Sequence, residues 1–300
     1  MASCDGRVVI VTGGARGIGR EHSLAFAREG ASVVVNDLGG AVDGAGSDAS
    51  AAERTAAEIR EQGGRAVANH ADVADWTATR ALVEQAISTF GRLDVVVNNA
   101  GILRDRMFVN TSIEEWDLIM RVHLRGHFCT SRHAAAWWRD RAKAGEPVTA
   151  RIINTTSGAG LQGSVGQSNY VAAKAGIAAL TLNQAVELAR YGVTANCIAP
   201  SARTRLTEGV FADKMKEVAS GFDVQDPANI SPIVVWLGSA ESSDVTGQCF
   251  EVEGGKLSVA DGWRTGPTAD KGGRWDPVEL GGTVRELIRK AVPAQKVYGA

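Results

Sequence analysis

One segment constrains this chain more than any other: Thr12-Gly13-Gly14-Ala15-Arg16-Gly17-Ile18-Gly19, placed directly after a first β-branched run and directly before a helical stretch reaching Arg28. Glycines at such a turn let the backbone approach a pyrophosphate, which then rests on the unpaired N–H groups and positive dipole end of the helix. A strand, a glycine turn and a helix in that order belong to βαβ units and a parallel sheet. The rest of the chain agrees, because apolar runs at 7–12, 32–36, 65–69, 95–98, 151–155, 194–199 and 249–252 alternate with helical stretches. Runs such as RVVIVT and LDVVVN are nearly continuous, as expected of strands covered by helices on both faces. The fold expected is α/β: one doubly wound domain over 1–255 with a seven-stranded parallel sheet. Beyond it, 256–300 reads as a C-terminal extension, rich in Gly and Pro to 282, with one short amphipathic helix at TVRELIRKAV.

Composition narrows the partners. The 300 residues carry a formal charge of −2 and contain no block of like charge, which argues against nucleic acid as a partner. No run of about 18 apolar residues is present, so membrane insertion is not expected. The first apolar stretch comes too early and is too short for a signal peptide, which points to a cytoplasmic protein. Cys4, Cys129, Cys197 and Cys249 are widely spaced and form no CxxC pair. They are expected to be isolated buried thiols, with no metal site and no disulfide framework.

The second strand ends at Asp37, where a dinucleotide fold places the group that meets the adenosine ribose. A carboxylate there accepts from both ribose hydroxyls and repels a 2′-phosphate, so Asp37 predicts NAD rather than NADP; Arg16 could partly offset that repulsion. Asp72 and Val73 after the third run, and Asn99, Ala100 and Gly101 after the fourth, fall at strand ends that line such a crevice. Asp72 can accept from an adenine amino group or can simply cap a helix.

Ser157, Tyr170 and Lys174 form the sharpest constellation. Tyr170 and Lys174 are four apart on an expected helix and share a face, so the ammonium can sit near the phenol. A base working near pH 7 needs the ordinary tyrosine pKa lowered by about 3 units, which Lys174 and a positive nicotinamide ring could supply together. Tyr170 would then take a hydroxyl proton as the carbon gives up hydride, with Ser157 bonding the substrate oxygen.

TGGARGIG, NNAG, the serine 13 residues before the tyrosine, and YVAAK together resemble the short-chain dehydrogenase/reductase family over about 7–255. The resemblance implies a seven-stranded Rossmann sheet, an NAD-dependent alcohol or ketone oxidoreductase, and a catalytic set at Ser157, Tyr170 and Lys174. It places Gly13, Arg16, Gly17, Ile18, Gly19, Asp37, Asp72, Val73, Asn99, Ala100, Gly101, Tyr170, Lys174, Pro200 and Thr204 around the cofactor, with Thr204 toward the nicotinamide carboxamide. Family members pair as homodimers or homotetramers. VVNDLGG, VVVNNAGILRDRMF, RVHLRGHF and GQSNYVAAKAG are similar to the branch that oxidises (3R)-hydroxyacyl-CoA, as in the peroxisomal multifunctional enzymes type 2 and bacterial dehydrogenases of acyl-CoA or steroid intermediates.

Two positions depart from the family pattern. His123 stands where many members have a catalytic asparagine; its ring or its backbone carbonyl could hold a relay water, or it could be a packed histidine. Ser201 follows Pro200 where glycine is common, which questions the local turn. On the substrate side, Val210, Phe211 and Met215 suit either a lid over an apolar group or a plain helical core face. Arg104 and Arg106 are candidates for CoA phosphates, and Trp263 and Trp275 are expected to pack against something. Two other readings share these residues: a hydroxysteroid dehydrogenase acting on a ring hydroxyl, and a non-catalytic NAD-binding scaffold.

Overall fold

The computed structural model describes residues 2–41, 43–205, 215–216, 220–277 and 280–299. Eight strands form one sheet: β1 (Val8–Thr12), β2 (Ser32–Asn36), β3 (Arg65–Asn69), β4 (Val95–Asn98), β5 (Ala150–Thr155), β6 (Val193–Ser201), β7 (Cys249–Glu253) and β8 (Lys256–Val259). Their spatial order is β3-β2-β1-β4-β5-β6-β7-β8. The first seven are parallel; β8 runs antiparallel to β7, pairing Glu253 with Lys256 and Phe250 with Val259. The expectation of seven strands is therefore corrected by one edge strand, which extends the sheet past residue 255. All four β8 residues are exposed, so no buried apolar run announced it.

Alternation of side chains across the pleat builds two cores. Val9, Val11, Val33, Val35, Val95 and Val97 face one side. There they meet Leu24 and Phe26 of α1 (Gly17–Arg28), Ala56 and Ile59 of α2 (Ser50–Glu61), and later Val234 and Leu237. Val8, Ile10, Val34 and Val96 face the other side, against Leu82 of α3 (Trp76–Phe90) and a helix carrying Trp138. Because β1 sends its helix to one face and β4 sends its helices to the other, the carboxyl ends of these neighbours leave a crevice.

After β4 come α4 (Ile113–Met120), a π-helical stretch at Arg121–Arg125, α5 (Gly126–Lys143), α6 (Gly158–Gln162), α7 (Ser168–Leu188) and α8 (Ser231–Gly238). The expected tail helix is α9 (Leu280–Lys290), none of whose residues is buried. Trp263 is fully exposed, with no described residue of its own chain covering it; Trp275 is half-buried with the Lys271 ammonium over its ring. Cys4, Cys129 and Cys197 are buried and Cys249 is half-buried, but not all are isolated. Cys197 and Cys249 are register partners across β6 and β7 and hydrogen-bond one another. No helix among the described residues is long and apolar enough to cross a membrane.

Candidate active site

A cleft of about 840 Å³ opens at the carboxyl ends of β1, β4, β5 and β6, and every residue that the sequence nominated for catalysis or cofactor binding lines it. Its first wall is the glycine turn. Gly13 has a left-handed φ of 63°, and a Cβ there would lie 2.9 Å from the Ala100 Cα; a Cβ on Gly19 would lie 2.1 Å from the Gly13 carbonyl oxygen. Only glycine permits this approach. Arg16, the residue before α1, is extended and no side chain caps the helix, whose first residues Gly17, Ile18 and Gly19 line the cleft.

The turn is held from below by two residues of the β1 and β4 ends. Thr12 Oγ1 accepts from the amides of Asn99 and Ala100, and the Asn99 amide group donates to the carbonyls of Thr12 (3.1 Å) and Gly13 (3.2 Å). The role of Thr12 was not foreseen. Asp37 is fixed by two backbone donors, Gly39 at 2.7 Å and Ala15 at 3.1 Å, which seat its carboxylate beside the turn. The Arg16 guanidinium turns to Asp48 (3.2 Å) and to the carbonyls of Gly39 and Gly40. Asp72 accepts from the Ala74 amide and pairs with Arg121, and Val73 packs over Gly126.

The opposite end holds the reactive groups. Ser157 caps α6, its Oγ accepting from the Ala159 amide, and hydrogen-bonds Tyr170. Lys174 is buried on α7; its Nζ donates to the Thr155 carbonyl at 2.7 Å and lies 5.5 Å from the centre of the Tyr170 ring. Burial pushes the Tyr170 phenol up to about 12, with the Ser157 bond acting in the other direction, and brings Lys174 down to about 7. Lys174 alone does not lower the phenol; the lowering expected is one that Lys174 and a nicotinamide ring supply together. A lysine that titrates near neutrality is only partly charged there, so its field does not offset the desolvation of the phenolate.

His123 lies in the π-helical stretch between α4 and α5, a local distortion common at functional sites. Its Nε2 lies 2.8 Å from the Ile102 carbonyl, and its ring stands edge-on to Tyr170 at 5.3 Å. Burial drives the ring down to about 3, so it is neutral; with Nε2 donating, Nδ1 is a buried acceptor without a partner. His127, one helical turn on, is buried against the backbone of His123, Asn98 and Thr155. Its i,i+4 spacing from His123 was the available signal. A second set that sequence reasoning missed is Asn98 and Asn154: Asn98 donates to Asn154 and Ser131, and Asn154 to Thr181 and Gln184. These bonds tie β4 and β5 to α5 and α7 under the reactive end.

Pro200 and Thr204 line the cleft, and the Thr204 methyl approaches Gly17 from across it. Ser201 needs no special turn: it stays in β6, its hydroxyl donating to Glu253, and no described residue other than glycine has a positive φ. On the substrate side Met215 is buried and lines the cleft, while Val210 and Phe211 lie outside the described residues. Arg104 and Arg106 pair with Asp43 and Glu115 and do not line the cleft; besides Arg16, Arg121 and Lys174, the cations lining it are Arg205 and Lys256, both exposed. Among the described residues no group of three His, Cys, Asp or Glu side chains comes together as a metal site.

Comparison with known proteins gives concordant likenesses. A family model described as short chain dehydrogenase matches residues 7–214. The chain is 44% identical over 297 residues to hydroxyacyl-CoA dehydrogenase ChsB1 of Mycobacterium tuberculosis, covering 97% of this chain and 91% of that one. It is 48% identical over 251 residues to the peroxisomal multifunctional enzyme type 2 of Mus musculus, covering 84% of this chain and about a third of that longer protein, 32%. A crystal structure of a short chain dehydrogenase from Mycobacterium avium superposes with a TM-score of 0.90 at 60% identity, covering 99% of this chain and all of the other.

Proposed function

The chain belongs to the short-chain dehydrogenase family and is an oxidoreductase, and from that premise we propose that it oxidises a (3R)-hydroxyacyl-CoA, fatty or steroid side-chain, to the 3-ketoacyl-CoA with NAD. The observation that carries the reading is one continuous cleft with Asp37 at one end and Ser157, Tyr170 and Lys174 at the other. The thioester class draws support from the hydroxyacyl-CoA dehydrogenase that is 44% identical over nearly the whole chain, and from Arg205 and Lys256 on the rim, where CoA phosphates need cations.

The residues fit the cofactor. Gly13, Gly17 and Gly19 leave room that a Cβ would fill, and the uncapped start of α1 suits a pyrophosphate. Asp37 would take the ribose hydroxyls, Asp72 and Val73 the adenine, and Ala100, Gly101, Pro200 and Thr204 the nicotinamide half. NAD is favoured over NADP because Asp37 is held in place by two amides, whereas the one arginine of the glycine turn is engaged by Asp48 and two carbonyls. When bound, the nicotinamide accepts a hydride.

The chain's own groups handle the proton. Ser157 Oγ bonds the substrate oxygen and orients the carbinol. Tyr170 Oη acts as the phenolate: its own proton is first lost to the neutral form of Lys174, which titrates near neutrality and releases it to solvent, and the phenolate then takes the hydroxyl proton as the C–H bond breaks. The neutral His123 ring, tied to Ile102, holds the floor beside Tyr170. The test is nicotinamide absorbance on mixing the protein with NAD or NADP and a medium-chain (3R)-hydroxyacyl-CoA, its (3S) epimer, or a hydroxysteroid. Turnover of the (3R) thioester with NAD is expected; turnover of the steroid alone would move the substrate class to a ring hydroxyl.

A further inference from the structure

The C-terminal residues return to the catalytic loop. Ser157 and Tyr170 are joined by α6 and then by residues 163–167, in which Gly163 and Gly166 have left-handed φ values of 87° and 76°. Tyr298 forms a parallel bridge with Ser164: its amide donates to the Gly163 carbonyl at 3.2 Å and its carbonyl accepts from the Val165 amide at 2.9 Å. On the other flank the Arg106 amide donates to the Gly166 carbonyl at 2.8 Å. The loop between the two reactive side chains is thereby clamped from both sides, once by the strand end after β4 and once by the tail.

The side chain contact is closer still. A Cβ added to Gly158, the residue after Ser157, would lie 2.7 Å from the Tyr298 phenolic oxygen and 3.2 Å from its ring; one added to Gly163 would lie 3.3 Å from both Val297 methyls. The ring lines the cleft and stays 42% exposed, so it faces the cavity instead of filling the core. Most of the chain from 260 to 296, α9 included, is exposed and buries little. The extension thus reaches the body of the protein chiefly to deliver residues 297–299 to this spot.

We propose that Tyr298 is a specificity-determining residue, its ring forming the wall of the substrate site that meets the carbons flanking the reacting carbinol. The inference rests on the dehydrogenase reading above. Tyr298→Ala, Tyr298→Phe and a chain ending at residue 292 are compared with the wild type on (3R)-hydroxyacyl-CoAs of increasing length and on a hydroxysteroid. Tyr298→Ala and the shortened chain should raise the substrate KM about 5- to 20-fold, on the scale of one aromatic contact, and shift the chain-length preference. The NAD KM should stay put in both, and the melting temperature in Tyr298→Ala, while the shortened chain, which also loses the two backbone bonds to Gly163 and Val165, should melt lower. Tyr298→Phe should keep the wild-type profile. Unchanged KM and chain-length profile in Tyr298→Ala would overturn the inference, as would a Phe variant impaired as much as the Ala variant. A wild type active only on the steroid overturns the acyl-CoA reading while the variant-to-wild-type ratio on the steroid still decides the role of Tyr298; a wild type inert to both classes overturns the two together.

Discussion

Gly19→Ala isolates the steric argument for the glycine turn. The new Cβ would sit 2.1 Å from the Gly13 carbonyl oxygen and 2.5 Å from the Asn99 amide nitrogen. Ordinary contact distances require the Gly13 carbonyl to retreat by about 1 Å. That carbonyl accepts from Asn99 at 3.2 Å, and the next amide, Gly14, donates to the Asn36 carbonyl at 2.9 Å, so the retreat strains the seam joining β1 to β2 and β4. Overpacking costs roughly 1–3 kcal/mol and each hydrogen bond lost about 1 kcal/mol more. Together these lower the melting temperature by roughly 5–10 °C in a chain of this size. Moving the turn also misaligns the backbone donors that would hold a pyrophosphate, about 3 kcal/mol or 100-fold in NAD affinity. Scanning calorimetry and NAD titration read the two effects. Gly262→Ala, whose Cβ meets nothing within 4 Å, serves as the neutral control. A Gly19→Ala protein that melts within 1 °C of wild type and binds NAD within threefold would refute the reasoning.

Other outcomes follow from the same geometry. Asp37→Ser removes the carboxylate at the ribose position and should shift the NADP-to-NAD ratio of kcat/KM by about 10²-fold or more toward NADP; an unchanged ratio removes Asp37 from cofactor choice. With the phenol up at about 12, alcohol oxidation should accelerate from pH 6 to pH 9 while ketone reduction stays flat, because the acid form remains fully populated, read from rates in both directions. Equal slopes in the two directions would contradict a proton taken up by Tyr170. Burial holds His22 and His123 down at about 3 and His127 well below its ordinary value, so each ring is neutral when folded and takes its proton near pH 6.5 when unfolded. Stability is therefore intact above about pH 6.5 and falls as pH drops toward 3, by up to about 4 kcal/mol per unit for three protons. Urea midpoints across pH 7 to 4.5 measure it, with His22→Gln removing about a third of the slope; a flat profile would mean the rings are not neutral.

Much of the frame was legible because it follows from short-range pattern. Continuous valine runs mark strands covered on both faces, and fixed spacings bring Ser157, Tyr170 and Lys174 to one end of a cleft whose other end is Asp37. What escaped depends on long-range register. The exposed β8 carries no apolar signal, Cys197 meets Cys249 only because β6 and β7 align, and Tyr298 reaches Ser164 across more than a hundred residues of chain. The same holds for charge: the pairing of Arg104 with Asp43 and of Arg106 with Glu115 is set by tertiary structure and not by local sequence. Spacing gives the proximity of Tyr170 to Lys174 but not the burial that shifts both groups.

The central claim is that Tyr170 carries the proton in an alcohol oxidation that uses NAD. The measurement that meets it most directly pairs NAD titration with NADH formation from a (3R)-hydroxyacyl-CoA, in wild type and Tyr170→Phe side by side. Phenylalanine keeps the ring against His123 and removes only the hydroxyl, so the account predicts NAD affinity within a few-fold of wild type and turnover lower by about 10²–10⁴-fold. Turnover within tenfold of wild type, with the cofactor still bound, would contradict it.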